Sequence, residues 1–198
     1  MMRRLIVQEW VSLDGVVQAP GSPNEDKSGR FRHGGWHLRY FDDMSRNWVV
    51  ANLTEAGGYL FGRRTYENFA GHWPNASAEE QVLAQPLNTR PKYVASTTLA
   101  EPLTWQNSTL LKGDVSAAVA ALKQKDGGNL LVMGSAKLLQ SLIDHDLVDE
   151  FRLMIDPVVV GGGKRIFGND GVLRQLRLVE RRVTTTGAIL ATYAPSGR

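Results

Sequence analysis

Cysteine is absent from all 198 residues. That excludes disulfides, thiolate metal sites and a cysteine nucleophile. Long apolar runs are absent too: none approaches the roughly 20 residues that a membrane span needs. The start, Met1-Met2-Arg3-Arg4-Leu5, leads into a stretch broken at once by Gln8 and Glu9, so no secretory leader is indicated and a cytoplasmic protein is expected. The four histidines, His33, His37, His72 and His145, show no zinc spacing beyond His33 and His37 standing four apart, so no resident metal is expected. There is no G-x-S-x-G elbow, no Walker A loop and no G-x-G-x-x-G fingerprint. Gly161-Gly-Gly-Lys164 lacks the trailing hydroxyl residue of a phosphate loop. A dominant charge is lacking as well. Lys and Arg number 23 against 20 Asp and Glu, and the signs are interspersed, as at Arg177, Glu180 and Arg181. That pattern offers no basic stripe for nucleic acid and tolerates a small anionic ligand.

What is present alternates strand and helix. Arg4 to Val11 reads as a first strand, followed by the turn Ser12-Leu-Asp-Gly15. A long segment from Val16 to about His37 is rich in Gly, Pro, Ser and Asn. Such a loop is either functional or poorly ordered. Phe31 and Trp36 could close it over a ligand, or simply pin it. A helix opens at Phe41-Asp42-Asp43, with Met44, Trp48 and Ala51 along one face, and ends at Gly57-Gly58. Tyr59 to Phe61 is a strand running into Gly62-Arg63-Arg64-Thr65 and a second helix. Ala78 to Leu87 reads as a short helix. Lys92 to Thr97 is a third strand, ending in hydroxyl residues. Ser108 to Leu111 is a weaker one, and Asp114 caps the helix that follows.

Leu130 to Met133 is apolar without alternation, as in a strand buried on both faces. Gly134-Ser135 then turns into a helix striped by Leu138, Leu139, Leu142 and Ile143, with Ser135 as its expected cap. A strand that feeds a helix through small residues leaves N–H groups free for a phosphate. It is also an ordinary strand–helix unit, and one junction alone does not separate the two readings. Two such junctions, Gly62-Arg63 and Gly134-Ser135, could grip one dinucleotide. After Asp146 the pattern changes to strands: Asp149 to Asp156, with Phe151, Leu153 and Ile155 facing one way, then Pro157 to Val160, Leu176 to Val183 and Ala188 to Tyr193, the last two joined through Gly187. The order argues for one α/β domain over residues 1–198, with a mostly parallel sheet and antiparallel C-terminal strands. Asp14, Glu9, Asp42 and Asp43 are the carboxylates nearest the long loop and the first helix. Any could donate or relay a proton, and each has a plain role as turn, strand or cap residue.

Taken together, Ser12-Leu-Asp-Gly15, Leu60-Phe-Gly-Arg-Arg-Thr-Tyr66, Val132-Met-Gly-Ser-Ala-Lys-Leu138 and Asp149-Glu-Phe-Arg-Leu with Pro157-Val-Val-Val-Gly-Gly-Gly-Lys164 resemble the dihydrofolate-reductase-like superfamily. The nearer resemblance is to the reductase domain of riboflavin-biosynthesis proteins. It implies a three-layer α/β fold, NADPH as cofactor, hydride transfer to a small heterocycle of pyrimidine or pterin type, and a homodimer, with Phe151, Leu153 and Ile155 as a candidate face. It implies that Gly62, Arg63, Arg64 and Thr65 hold the pyrophosphate and part of the 2′-phosphate. Ser96 and Thr97 would lie near the adenosine phosphate, and Gly134, Ser135, Ala136 and Lys137 on the other side of the pyrophosphate. Trp10 and Val11 would carry the nicotinamide on the first strand's backbone. Asp14 and Asp42 stand as the candidate catalytic acids. A cis peptide is expected at Gly134-Ser135. Two departures leave the substrate open: Met133 stands where the pathway enzymes carry glutamate, and Asn68-Phe-Ala-Gly-His-Trp-Pro74 replaces their substrate-contacting segment. A non-catalytic nucleotide-binding or sensor module is the alternative reading.

Overall fold

The computed structural model describes residues 2–197. Eight strands are ordered β4-β3-β2-β5-β1-β6-β8-β7. They are β1 (Leu5–Ser12), β2 (Gly58–Gly62), β3 (Lys92–Ala95), β4 (Ser108–Leu111), β5 (Leu130–Val132), β6 (Glu150–Asp156), β7 (Leu176–Val183) and β8 (Ile189–Pro195). The α-helices are α1 (Asp43–Glu55), α2 (Arg63–His72), α3 (Gln81–Thr89), α4 (Val115–Gln124) and α5 (Ala136–Asp144). No helix among the described residues is long and apolar enough to cross a membrane. The chain divides into two compact units, with boundaries inside β1, inside α1 and between Val148 and Asp149.

One unit holds the chain up to Ile6 together with Trp48–Val148. Its strands β4, β3, β2 and β5 are parallel. Tyr59, Leu60 and Phe61 of β2 and Leu130, Leu131 and Val132 of β5 are buried without alternation, which is the pattern of strands covered on both faces. The backbones of Gly57 and Gly128 approach so closely that a Cβ on Gly57 would lie 2.5 Å from the Gly128 Cα. Lys92, fully buried on β3, donates from Nζ to the carbonyls of Leu87, Asn88 and Arg90 at 2.8, 3.3 and 3.0 Å. It lies 4.5 Å from the Trp105 ring centroid. Burial pushes its ammonium down to about 8, while the helix-end carbonyls and the ring face favour the charged form.

The other unit holds Val7–Asn47 and the chain from Asp149 on. Here β6, β8 and β7 are antiparallel. The expected alternation of β6 is not observed as an inside and an outside: Glu150, Met154 and Asp156 are buried as well as Phe151 and Leu153. The strand also stops at Asp156. Pro157 to Val160, expected to extend it, lies outside any strand, because Pro157 brings no N–H to a ladder. Gly187, at φ +86°, makes the turn between β7 and β8 and donates its N–H to the Thr184 carbonyl.

Helix α1 differs in its facing. The buried positions are Ser45, Val49, Asn52 and Leu53, whereas Met44 and Ala51 of the expected face are exposed. Two polar residues on the inward stripe shifted the apolar pattern that the sequence displays. Helix α3 begins at Gln81 rather than at Ala78, because Ala78–Glu80 forms a separate 3-10 turn.

Candidate functional site

Three neighbouring parallel strands of the first unit end side by side. Gly62 of β2 pairs with Ala95 of β3, and Leu60 of β2 with Val132 of β5. The segments Gly62–Thr65, Ser96–Thr97 and Gly134–Lys137 therefore leave the same edge of the sheet together. In open α/β sheets that carboxyl edge is where ligands bind. The Gly62 N–H donates to the Gly134 carbonyl at 3.1 Å, which ties two of the three segments directly.

The two glycines are fixed by their neighbours. A Cβ on Gly62 would run into the Ser135 hydroxyl, and one on Gly134 would lie 2.7 Å from Thr65 Oγ1, with Gly134 already at φ +74°. The Gly134–Ser135 peptide is cis, as the resemblance implies. Ser135 precedes α5, but its side chain makes no capping hydrogen bond, and Gly62 before α2 has none to offer. By contrast, Asp114 caps α4 by accepting from the Ala117 N–H. Two adjacent helix starts thus have no side chain over their first N–H groups, the arrangement that suits an anion.

Arg63 is half exposed and forms an i,i+4 ion pair with Glu67 at 3.0 Å. Arg64 and Thr65 are half-buried, Ala136 is buried, and Lys137 and Thr97 are exposed. Ser96 Oγ accepts from the N–H groups of Thr98 and Leu99, so it closes the turn after β3.

The second unit holds the remaining candidates. Val11 is buried and Trp10 half-buried on β1. The Trp10 indole stacks on the His37 imidazole, with centroids 4.1 Å apart and planes inclined by 14°. Phe41 meets both rings edge-on, at 5.9 and 5.4 Å. His37 Nδ1 lies 2.7 Å from Asp156 Oδ2, and the two residues are 1 % and 0 % exposed. Burial pushes the Asp156 carboxyl up, and the contact with His37 pulls against it. This pair was not singled out in the sequence, since 119 residues separate its members and neither lies in a motif.

The two expected acids have other partners. Asp14 accepts from Ser12 Oγ at 2.6 Å and from the N–H groups of Val160 and Gly161 at 3.0 and 2.9 Å. The Ser12 hydroxyl above all, with these backbone donors, holds its carboxyl at about 2 against the opposing cost of burial. Asp42 caps α1 through the Ser45 N–H and hydroxyl, at 2.9 and 2.8 Å, and takes the N–H and hydroxyl of Thr185 on its other oxygen. The Thr185 hydroxyl and then the Ser45 N–H keep that carboxyl far below the usual range. Each is a carboxylate near neutral pH and is tied into turn or cap geometry, a poor arrangement for a proton donor.

A family model described as the RibD C-terminal domain matches residues 3–190, across both units. The Bacillus subtilis (strain 168) protein YyaP is 28% identical over 197 residues, which cover 98% of this chain and 96% of YyaP. Among solved structures, a putative riboflavin biosynthesis protein from Shewanella sp. PV-4 superposes with a TM-score of 0.72 at 23% identity, covering 99% of each chain. Dihydrofolate reductase from Enterococcus faecalis, complexed with NADP(H), superposes at 0.58 with 13% identity and 99% coverage of both. The fold is thus the α/β, dihydrofolate-reductase-like one, with a mostly parallel sheet and antiparallel C-terminal strands.

Proposed function

Because the chain belongs to the RibD C-terminal domain family, we propose that it is a cytoplasmic, homodimeric NADPH-dependent reductase of a small heterocyclic substrate. The observation that carries this reading is the glycine-lined edge at Gly62 and Gly134. A Cβ on either would fill the space against Ser135 or Thr65, and the uncapped starts of α2 and α5 lie directly behind. These features fit a pyrophosphate, whose oxygens accept backbone N–H groups and need close backbone approach.

In this reading, Gly62–Thr65 and Gly134–Lys137 hold the pyrophosphate, and Ser96 and Thr97 stand by the adenosine phosphate. Arg63 and Arg64 supply positive charge for a 2′-phosphate, Arg63 by leaving its exposed pair with Glu67, a contact of small worth. Trp10 and Val11 on β1 present the backbone that would orient the nicotinamide. The bound cofactor supplies the hydride. Asp14 and Asp42 act by holding the Ser12–Gly15 turn and the start of α1 in place.

The test is a thermal-shift titration with NADPH and NADH, since a ligand that binds only the native state raises the melting temperature. NADPH should raise it, and NADH less so. Replacing both Arg63 and Arg64 with Ala should weaken NADPH more than NADH; equal losses would remove them from the 2′-phosphate. A nucleotide sensor on the same fold is the second reading, favoured by the commitment of Asp14 and Asp42 to structural bonds. It predicts NADPH binding with no oxidation across a panel of pterins, pyrimidines and quinones.

A further inference from the structure

The His37–Asp156 pair is buried on both sides, at 1 % and 0 % exposure. Burying two ionisable groups is expensive unless every polar atom finds a partner. Here His37 Nε2 and Asp156 Oδ1 are both buried and make no hydrogen bond, and Trp10 Nε1 beside them is in the same state. Buried polar atoms are otherwise almost always paired, so an orphan asks for a reason. The surroundings keep the imidazole in one place. Trp10 lies flat against it, Phe41 and Trp36 meet it edge-on, and Asp156 fixes Nδ1. A carboxylate on Nδ1 fixes the orientation of the ring and leaves Nε2 as the working atom.

The long loop that leads to His37 holds backbone strain at Ala19. Ala19, buried, sits at φ +48° and accepts from the Gly35 N–H, and Gln18 ties the segment to the carbonyls of Asp26 and Ser28. Strained backbone of this kind persists where the surroundings over-determine it, and it clusters at functional sites. Asp14 and Asp42, two of the carboxylates that the sequence offers as proton donors, are committed to turn and cap bonds, and His37 stands against Trp10.

We propose that the His37–Asp156 pair is the proton-delivering dyad of this chain: His37 Nε2 hydrogen-bonds a ring nitrogen or carbonyl oxygen of a flat heterocyclic substrate lying by Trp10 and passes it the proton that completes reduction. The proposal rests on the reductase reading. The cofactor, when bound, would supply a hydride to the carbon of a C=N or C=O group of the substrate. The π pair moves to the nitrogen or oxygen, which takes the proton as the Nε2–H bond breaks. The substrate gains two electrons and the cofactor loses two. Asp156 holds the imidazole through the step, and His37 recovers its proton from water afterwards. Nε2 is closed to solvent in this structure, so substrate entry requires the segment that carries His37 to move.

The test is NMR of the full chain carrying isotope-labelled histidine and saturated with the oxidised cofactor, with pterin and diaminouracil as probes. One histidine, absent from the spectrum of His37→Asn, should shift at Nε2 when either probe is added, while its Nδ1 resonance keeps the signature of a carboxylate partner. Asp156→Asn should remove that signature. With whichever probe is turned over, His37→Asn should lower kcat by about 10²–10⁴-fold and leave the NADPH-induced thermal shift in place. Cofactor binding with no response of His37 to either probe overturns the proposal alone. Failure of NADPH to raise the melting temperature overturns the reductase reading and the dyad with it. Should His37→Asn fail to fold, His37→Gln and the spectra of the unsubstituted chain decide the same question.

Discussion

Single residues in this chain take their roles from partners far away in sequence. Asp42 is legible as a helix cap, and the Ser45 N–H confirms that much. Its second tie, to Thr185, crosses 143 positions and could not be read from any local pattern. The hydrogen bonds to Thr185 and Ser45 favour the ionised form, so the folded chain gives up this proton at lower pH than the unfolded one. The stabilisation is therefore complete above the ordinary carboxylate value and is lost as pH falls below it. Asp42→Asn is expected to lower stability by about 1–2 kcal/mol at neutral pH, and by somewhat less once pH falls below the ordinary carboxylate value. Urea unfolding at about pH 7 and pH 3 checks this; an equal loss at both would remove the carboxylate's charge from the account. His37 and Asp156 show the same limit more sharply. Each looks like an ordinary loop or strand residue until the fold brings them to 2.7 Å.

Elements were largely legible because they depend on local signals. Unbroken apolar runs at β2 and β5, glycines after them and Asp114 before α4 all act within a few residues. The failures have physical causes. Proline ended β6 before the valines that follow it, and α1 turned Ser45 and Asn52 inward against its apolar stripe. Ser135 has the right residue type for a cap but makes no capping bond, since its hydroxyl packs where a side chain on Gly62 would go. Gly134→Ala tests the element's purpose. It places a Cβ 2.7 Å from Thr65 Oγ1 at a φ of +74°, so a loss of about 1–3 kcal/mol is expected, together with loss of the NADPH-induced thermal shift. Gly113→Ala is the control: its φ of +72° is similar, but nothing lies within 4 Å. It should cost about 1 kcal/mol and keep the shift. If both variants keep the shift, the Gly134 turn is not a ligand cradle.

At the scale of the whole molecule, the sequence indicated the α/β class and the strand types, because strand–helix alternation followed by a run of strands admits few arrangements. It did not indicate which apolar residues stay outside. Phe151 and Leu153, the expected dimer face, are already buried within the chain. Among the exposed apolar residues, Leu178, Val179 and Val183 lie together on β7 and Ile189 on the neighbouring β8. An edge strand exposed on this scale invites a partner, and a second copy of the chain seated there is the form the proposed homodimer would take. Val183→Asp combined with Leu178→Asp should convert a dimer into a monomer in sedimentation analysis, with the NADPH response of each protomer retained. A chain that is monomeric before substitution would reject the dimer.

The buried Lys92 also bears on the order of events during folding. Its three acceptors lie only two, four and five positions away, at Arg90, Asn88 and Leu87. Contacts of such short separation close with little loop entropy and form early. The end of α3 and the start of β3 can therefore settle together before β3 finds β2 or β4. A growing chain would possess this corner before the later strands β4 to β8 had been made.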